Sequence, residues 1–252
     1  MHVHEAPSTE TSVYSPVSAR SPWVNMDRDH ASLSEVMSLI GYRAPGTTLQ
    51  SSLKFRIRRL RAGQSVFVMG QLFGGLYVVR LGALKSVITH TDGYEHVTSF
   101  SNRGDVLGSD GVCDGHYWCE AVALNDCEVI RLPADIIFSS DRSSDDVERM
   151  LYWASSREVT REQAAITVMH TAKSEVRVAR FILAQSERFA AMGCSASRFT
   201  LPMTRRDIGS YLSLTLETVS RAFSTLHQLG IIHVSSRDIT ICSMDTLRTY
   251  EG

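Results

Sequence analysis

A stretch near the C-terminal end of the sequence, TLETVSRAFSTLHQLGI at residues 215–231, carries polar side chains at helical spacing. Ser220 and Arg221 follow Glu217 by three and four positions, which places them on the same face as Glu217 if the stretch is a helix. In the major groove of DNA an arginine can donate two hydrogen bonds to guanine, a glutamate can accept one from cytosine, and a serine can contact a base edge. The same spacing also suits a plain surface salt bridge between Glu217 and Arg221. The neighbouring elements must decide between these two interpretations.

The residues before this stretch predict a second helix. Thr204 and Asp207 form a Thr-x-x-Asp pattern, which resembles a capping box and begins a helix that runs to about Leu212. After a short turn, Thr215 can cap the helix that carries the polar face. An apolar stripe on the opposite side would hold that helix on its domain, and it comprises Leu216, Val219, Phe223 and Leu226. Two helices joined by a tight turn predict a helix-turn-helix whose second helix enters the major groove.

Hydroxyl and basic side chains surround the two predicted helices. We expect five of them to contact DNA phosphates and so to set the register of the protein, namely Thr204, Arg205, Arg206, Thr215 and Thr218. After the second helix, Ile231–Val234 and Ile239–Ile241 flank a polar turn, which predicts a small β-wing. Arg237 in that turn is either a further phosphate contact or a solvated turn residue. Together these neighbours favour DNA contact over a simple salt bridge.

The segments upstream predict three further regions. Residues 1–30 are rich in Ser, Thr and Pro and poor in aliphatic residues, which predicts a disordered tail. Between Leu53 and Pro133, glycines recur between short β-favouring segments, which predicts an antiparallel sandwich or barrel. We therefore predict an α+β chain with a sensor domain at 31–143, a long helix at 144–172 and the helix-turn-helix domain at 173–252.

Along the predicted long helix, a stripe of mainly apolar residues recurs in alternating steps of four and three positions. We interpret this stripe as a seam that pairs with a second copy of the chain, and its members are Val147, Leu151, Ala154, Glu158, Arg161, Ala165 and Val168. The alternative is a core helix that packs on its own domain. Glu158 and the nearby Glu162 would bring like charges together across a parallel pair, so we expect Glu162→Ala to tighten dimerisation.

Two segments of the sequence, MTRRDIGSYLSLTLETVSRAF and GDVLGSDGVCDGHYWCEAVAL, resemble the CRP/FNR family of bacterial transcription regulators, and the first is closest to its FNR/FixK branch. The resemblance covers about residues 31–250. It implies a β-roll sensor domain like those that bind cyclic nucleotides, a dimerisation helix and a winged helix-turn-helix. It also implies a homodimeric regulator that acts on double-stranded DNA and RNA polymerase.

The family's Glu-x-x-Ser-Arg triplet falls on Glu217, Ser220 and Arg221, which implies a palindromic site with half-sites resembling TTGAT. Ser213 stands where relatives usually have glycine in the turn. If the backbone there needs a positive φ, serine costs about 1 kcal/mol.

The sensor region departs from both well-known branches of the family. No cysteine precedes Cys113, and Ile130 stands at the β-roll position of a cluster ligand, so we expect no FNR-type iron–sulfur cluster. The segment LGSDGVCDGHYWCEA has no arginine to pair with a phosphate, so we do not expect cAMP binding.

Three other sensor chemistries stay open, although we predict no cofactor. Cys113, His116 and Cys119 could ligate a metal with Cys127 as the fourth ligand. Cys113 and Cys119 could instead form a thiol redox switch. Haem would need an axial ligand such as His90, His96 or His116. The alternative function is therefore a sensor whose DNA binding requires a metal, haem or redox change in the β-roll.

The composition agrees with a regulator and excludes other classes. A net charge of −1 argues against a uniformly basic surface but allows a local basic patch. No apolar run is long enough to span a bilayer, and five irregularly spaced cysteines without a secretory signal indicate the cytoplasm. We find no nucleophile elbow, Walker loop or His-Glu-x-x-His pattern, so we do not expect an enzyme. Whether the protein activates or represses transcription is left open.

Overall fold

The computed structural model describes residues 29–43, 53–91, 93–139, 145–169 and 173–252. Most of the predicted tail, residues 1–28, lies outside these ranges, as do residues 144 and 170–172 at the ends of the predicted long helix.

An antiparallel β-roll forms the N-terminal part of the described chain. Its strands are β1 (His30–Ser32), β2 (Lys54–Leu60), β3 (Ser65–Phe67), β4 (Gly75–Leu81), β5 (Ala83–Thr89), β6 (Glu95–Asn102), β7 (Val106–Leu107), β8 (Glu120–Ala123) and β9 (Cys127–Pro133). Three short helices accompany them, α1 (Leu33–Ile40), α2 (Gly111–Asp114) and α3 (Ala134–Ile137). The strands form two antiparallel sheets in the orders β1-β2-β9-β4-β7 and β3-β8-β5-β6. This confirms the predicted β-roll.

The roll has the residue pattern that two packed sheets require. Inward positions of the strands carry aliphatic and aromatic side chains such as Leu84, Val129 and Leu132, which are fully buried. Phe67 stacks on Tyr117 inside the roll with ring centroids 3.9 Å apart. The roll therefore has a core of its own and can position its loops rigidly.

The long helix α4 (Asp145–Met169) packs one face against this roll. Val147, Met150 and Ala154 are buried in one cluster with residues of α1, β2, β4 and β9. Further along, Arg157 donates hydrogen bonds to the carbonyl oxygens of Ile40 and Gly104, each at 2.6 Å. The N-terminal half of α4 is therefore an integral part of the sensor domain.

This packing covers the face of α4 that was predicted as the seam. The residues assigned to a partner helix, Val147, Leu151, Ala154, Glu158, Arg161, Ala165 and Val168, are all buried or half-buried within the single chain, and Val147, Leu151, Ala154 and Val168 pack in its own apolar clusters. The arrangement corresponds to the alternative interpretation, a helix packed on its own domain. The physical reason is that an apolar stripe shows which helix face is buried but does not show which surface buries it.

The C-terminal part is a small helical domain with a three-stranded sheet. It comprises α5 (Ser174–Ala191), β10 (Arg198–Thr200), α6 (Arg205–Leu212), α7 (Leu216–Gln228), β11 (Ile232–Ser235), β12 (Asp238–Ile241) and α8 (Met244–Thr249), with strand order β10-β12-β11. Its core joins α5, α6 and α7 through residues such as Ile182, Ile208 and Val219. The predicted helix-turn-helix and wing are both present.

The C-terminal domain docks on the β-roll through α6. Val87, Val97 and Phe100 of β5 and β6 belong to the same buried cluster as the core of the C-terminal domain. The Val97 N–H donates to Ser210 Oγ at 2.8 Å, and Ser210 Oγ donates to the Glu95 carbonyl at 3.2 Å. The first helix of the helix-turn-helix is thus fixed to the edge of the sensor sheet.

Candidate nucleic-acid interface

The start of α6 is held by reciprocal hydrogen bonds. Thr204 Oγ1 accepts from the Asp207 N–H at 3.1 Å, and Asp207 Oδ2 accepts from the Thr204 N–H at 2.9 Å. The pair satisfies two backbone donors that a helix N-terminus otherwise leaves free. The predicted capping box is confirmed, and α6 ends at Leu212 as predicted.

A tight turn then connects α6 to α7. Ser213 has φ 55° and ψ 46°, so a serine occupies the left-handed region that glycine adopts without strain. The Leu214 N–H donates to the Gly209 carbonyl at 2.8 Å and closes the turn. A Cβ on Gly209 would lie 2.7 Å from the Leu214 oxygen, so this position needs glycine. Gly209 is not among the predicted site residues, and the sequence signal for it is a glycine inside a predicted helix.

Helix α7 presents one apolar and one polar face. Thr215 caps it, because its Oγ1 accepts from the Thr218 N–H at 3.1 Å. Val219, Phe223 and Leu226 are buried as the stripe predicts. Leu216 is an exception, with 40% of its surface exposed, since it lies in the first turn beyond the edge of the core.

The three predicted base-contacting residues lie together on the exposed face. Glu217, Ser220 and Arg221 are all exposed in the first two turns of α7. Arg221 Nη2 donates to Thr218 Oγ1 at 3.4 Å. Within the described part of the chain no ion pair joins Glu217 to Arg221, so the salt-bridge interpretation has no contact to support it. Both residues are exposed to solvent.

The five predicted phosphate contacts divide into two groups. Thr204, Arg206 and Thr215 are exposed, and Thr218 is half-buried beside them. Arg205 differs, because its guanidinium lies 3.3 Å from the centre of the Phe223 ring and donates to the Ser236 carbonyl at 3.1 Å.

These contacts give Arg205 a structural role within the domain. Burial lowers the pKa of Arg205 to about 10, so the group stays charged at neutral pH. A cation over an aromatic ring is attracted by the ring's electron density. Arg205 therefore joins α6, α7 and the wing, and does not extend towards the solvent as a phosphate contact requires.

The wing turn lies beside these helices. Ser236 has φ 56° at the turn between β11 and β12. Arg237, next to it, is exposed and donates to the Pro202 carbonyl at 3.1 Å. This bond ties the turn to the segment that precedes α6.

The residues considered for a metal, redox or haem site lie apart in the β-roll. Cys113 and His116 are exposed, whereas burial, together with the charge of Asp110, raises the pKa of Cys119 to about 12. A thiol with so high a pKa is a poor nucleophile at neutral pH. Among the residues that the structure describes, no group of three or more His, Cys, Asp or Glu side chains could hold a metal ion. His90, also exposed, lies beside Tyr94, and His96 is half-buried on β6.

Comparison with known proteins agrees with this geometry. Residues 176–250 match the model of the Crp-like helix-turn-helix domain, and residues 57–139 match that of the cyclic nucleotide-binding domain. The transcriptional regulatory protein btr of Bordetella pertussis is 34% identical over 206 residues, which cover 81% of this chain and 84% of that protein. The chain belongs to the CRP/FNR family of transcription regulators.

Two further relatives place it near the FNR and FixK members of the CRP/FNR family. The fumarate and nitrate reduction regulatory protein of Escherichia coli is 33% identical over 197 residues, 78% of this chain and 79% of that protein. The structure of FixK2 from Bradyrhizobium japonicum superposes with a TM-score of 0.68 at 27% identity, and covers 78% of this chain and 96% of that one. The chain is therefore a DNA-binding transcription regulator with the α+β fold of the family. No helix in the described ranges is long and apolar enough to cross a membrane.

Proposed function

We propose that this regulator binds, as a homodimer, a palindromic DNA site with TTGAT-like half-sites. The observation that carries the proposal is the exposure of Glu217, Ser220 and Arg221 together on α7 while the opposite face of that helix is buried. The half-site is the one that the resemblance of this triplet to the FNR/FixK branch implies. A regulator bound there would act through RNA polymerase, the partner that the family resemblance implies.

Each residue of the triplet has a chemical role in this proposal. Arg221 would donate to O6 and N7 of the guanine in TTGAT, and Glu217 would accept from N4 of the paired cytosine. Ser220 is small enough to let both side chains approach the bases. A good base contact of this kind contributes about 1–3 kcal/mol of discrimination.

Dimerisation is supported by the outer face of α4. Tyr152, Val159 and Ile166 lie seven residues apart and are 69%, 51% and 53% exposed. Apolar residues seven apart occupy one of the two seam positions of each heptad in a two-stranded coiled coil. We therefore place the dimer seam on this face, opposite to the residues predicted from the sequence. Two recognition helices arranged about a two-fold axis would enter major grooves about 34 Å apart.

A binding titration tests the base contacts. We expect Arg221→Ala to lower the affinity for a TTGAT palindrome by about ten-fold or more and to leave binding to a scrambled duplex nearly unchanged. Fluorescence anisotropy at fixed salt measures both affinities. Arg248→Ala is the matched control, because Arg248 is an exposed arginine on α8 paired with Asp245. Equal discrimination by wild type and Arg221→Ala would contradict the assignment.

A further inference from the structure

A cavity of about 580 Å³ lies where the two domains meet α4. Its walls come from the end of α1 and the β6–β7 turn of the β-roll, from the C-terminal half of α4, and from α5 and the end of α6. The volume falls within the range of small-molecule sites, about 300–1,000 Å³. The segment LGSDGVCDGHYWCEA, which corresponds to the cyclic-nucleotide loop of relatives, contributes no residue to its lining. The cavity is therefore separate from the segment that corresponds to the cyclic-nucleotide loop.

Three buried polar atoms of this cavity lack partners. Within the described residues, the buried side-chain atoms without a hydrogen bond are Asn102 Nδ2, Arg157 Nε and Gln185 Oε1. All three residues line the cavity, and Asn102 and Gln185 are only 5% and 4% exposed. Buried polar groups are otherwise hydrogen-bonded almost without exception in proteins. The walls of one cavity therefore contain two unpartnered donors and one unpartnered acceptor, and a ligand that accepts from the first two and donates to the third would satisfy them.

The charges of the cavity favour an anion. Its lining includes five arginines and two carboxylates. Asp105, which is 4% exposed, receives ion pairs from Arg157, Arg161 and Arg188 and also accepts from the Asn102 N–H at 2.9 Å. Arg161 also pairs with Glu158 at 3.4 Å, and Arg157 also donates to the carbonyls of Ile40 and Gly104. Three guanidinium groups carry about fifteen N–H donors, which is more than these acceptors can take.

The second carboxylate of the lining changes this balance little. Glu187 is exposed, so its charge is screened by solvent. Burial, and after it the charge of Arg161, lowers the pKa of Arg157, and the carboxylates of Asp105 and Glu158 only partly offset this. An anion in the cavity would add negative charge and an acceptor for Arg157 Nε.

The remaining wall is apolar and aromatic. Phe181 and Tyr211 line it together with alanine and valine side chains of α4 and α5. An inorganic ion would leave this apolar surface without a ligand contact. The ligand that matches both halves of the cavity carries an acidic group on an apolar or aromatic body.

We propose that this cavity binds a small organic anion, a carboxylate or a phosphate ester with an aromatic or apolar portion and a hydroxyl or amino donor. Its acidic group would lie among Arg157, Arg161 and Arg188, and its donor would reach Gln185 Oε1. Because the walls come from both domains, such a ligand contacts the sensor and the DNA-binding domain at once. An effect of the ligand on DNA binding rests on the proposed function, whereas binding of the ligand to the cavity is independent of that function.

Calorimetric titration of the full chain without DNA tests the site. The probes are 4-hydroxybenzoate for the carboxylate class, phenyl phosphate for the phosphate class, and 4-hydroxybenzamide as the neutral counterpart of the first. We expect at least one anion to bind with one site per chain and the neutral amide to bind about ten-fold or more weakly. Benzoate, which lacks the hydroxyl donor, should bind more weakly than 4-hydroxybenzoate to the wild type, and Gln185→Leu should reduce that difference.

A cavity-filling variant locates the site. Ala184 is an exposed alanine of α5 that lines the cavity, so Ala184→Phe should fill it and reduce anion affinity about ten-fold or more without removing any charge. Ala190→Phe is the matched control, because Ala190 is exposed on the same helix and does not line the cavity. Three results would each overturn the proposal: neither anion binds below about 10 mM, the neutral amide binds equally well, or Ala184→Phe binds the anion as the wild type does.

Discussion

Lys85 on β5 and Asp207 on α6 form an ion pair, with 2.7 Å between Lys85 Nζ and Asp207 Oδ1, that joins the sensor sheet to the helix-turn-helix. The same carboxylate closes the capping box with Thr204 through its other oxygen. One residue therefore both starts the first DNA-binding helix and ties that helix to the β-roll.

Breaking this pair should destabilise the chain. Lys85→Met keeps the apolar stem but leaves a largely buried carboxylate oxygen without its cation, which costs about 1–3 kcal/mol in the free energy of unfolding. Urea unfolding followed by circular dichroism measures the change. Lys54→Met, at an exposed lysine of β2, is the control and should have almost no effect. Equal stability of the two variants would show that the pair contributes nothing.

The loss in Lys85→Met should depend on pH. Burial raises the pKa of Asp207, but hydrogen bonds from Lys85 and Thr204 outweigh it and hold the pKa below its ordinary value of 3.8. A carboxyl with a lowered folded pKa contributes stability above its unfolded pKa and loses it as the pH falls through the folded value. The difference between wild type and variant should be full above about pH 5 and shrink towards pH 3. A difference that is constant over this interval would contradict the linkage.

Ser213→Gly should stabilise the turn between α6 and α7. Ser213 holds φ 55°, a conformation in which glycine escapes the Cβ clash, so we expect a gain of about 1 kcal/mol. Thermal and urea unfolding measure it. The same substitution at Ser224, inside α7, should instead destabilise by about 0.5 kcal/mol, because glycine weakens a helix interior more than serine does. A loss of stability in Ser213→Gly would mean that the serine makes a compensating contact.

Arg206→Ala and Arg205→Ala should separate phosphate contact from structural support. Arg206 is exposed, so its loss should weaken binding to every duplex and reduce the slope of log affinity against log salt by about 1. The loss of Arg205 from the Phe223 ring should lower the free energy of unfolding by about 1–2 kcal/mol. Salt titrations of DNA binding and urea unfolding provide both readouts. If Arg205→Ala has the same free energy of unfolding as the wild type, the contact between Arg205 and the Phe223 ring does not stabilise the fold.

Val159→Asp should disrupt the proposed dimer. Val159 is the central residue of the exposed row at Tyr152, Val159 and Ile166, and a buried charge there would face its own copy across the two-fold axis. We expect the dimer dissociation constant to rise by more than about ten-fold, measured by analytical ultracentrifugation. Thr160→Asp adds the same charge at the next exposed position, off the row, and should leave the dimer intact. A dimer unaffected by Val159→Asp would place the seam elsewhere.

Glu162→Ala should tighten the same dimer. Glu162 is exposed and lies three residues after Val159, at the position that completes a heptad seam, where two copies bring like charges together. We expect the dissociation constant to fall by a few-fold, by about 0.5–1 kcal/mol, in the same ultracentrifugation experiment. Gln163→Ala, at the neighbouring exposed position, supplies the uncharged control. An unchanged constant would show that the repulsion is screened by solvent.

Local chemistry made the helix-turn-helix predictable from the sequence alone. Thr204, Asp207 and Thr215 act on backbone groups three residues away, so their types and spacing suffice to place both helix starts. The apolar stripe of α7 likewise follows from helical periodicity and leaves the base-contacting triplet on the exposed face. Because these features depend on residues close in sequence, they can be predicted without the tertiary structure.

Tertiary structure decided the relationships between distant residues. Lys85 and Asp207 are 122 positions apart, and Arg205 faces an aromatic ring on another helix, so no local pattern indicates either contact. The stripe of α4 showed that one face is covered, but only packing showed that the β-roll and the C-terminal domain cover it. The cavity with its unpartnered polar atoms forms where the sensor domain, α4 and the C-terminal domain meet. Sequence periodicity determines which side of an element is buried, and the free energy of packing determines what buries it.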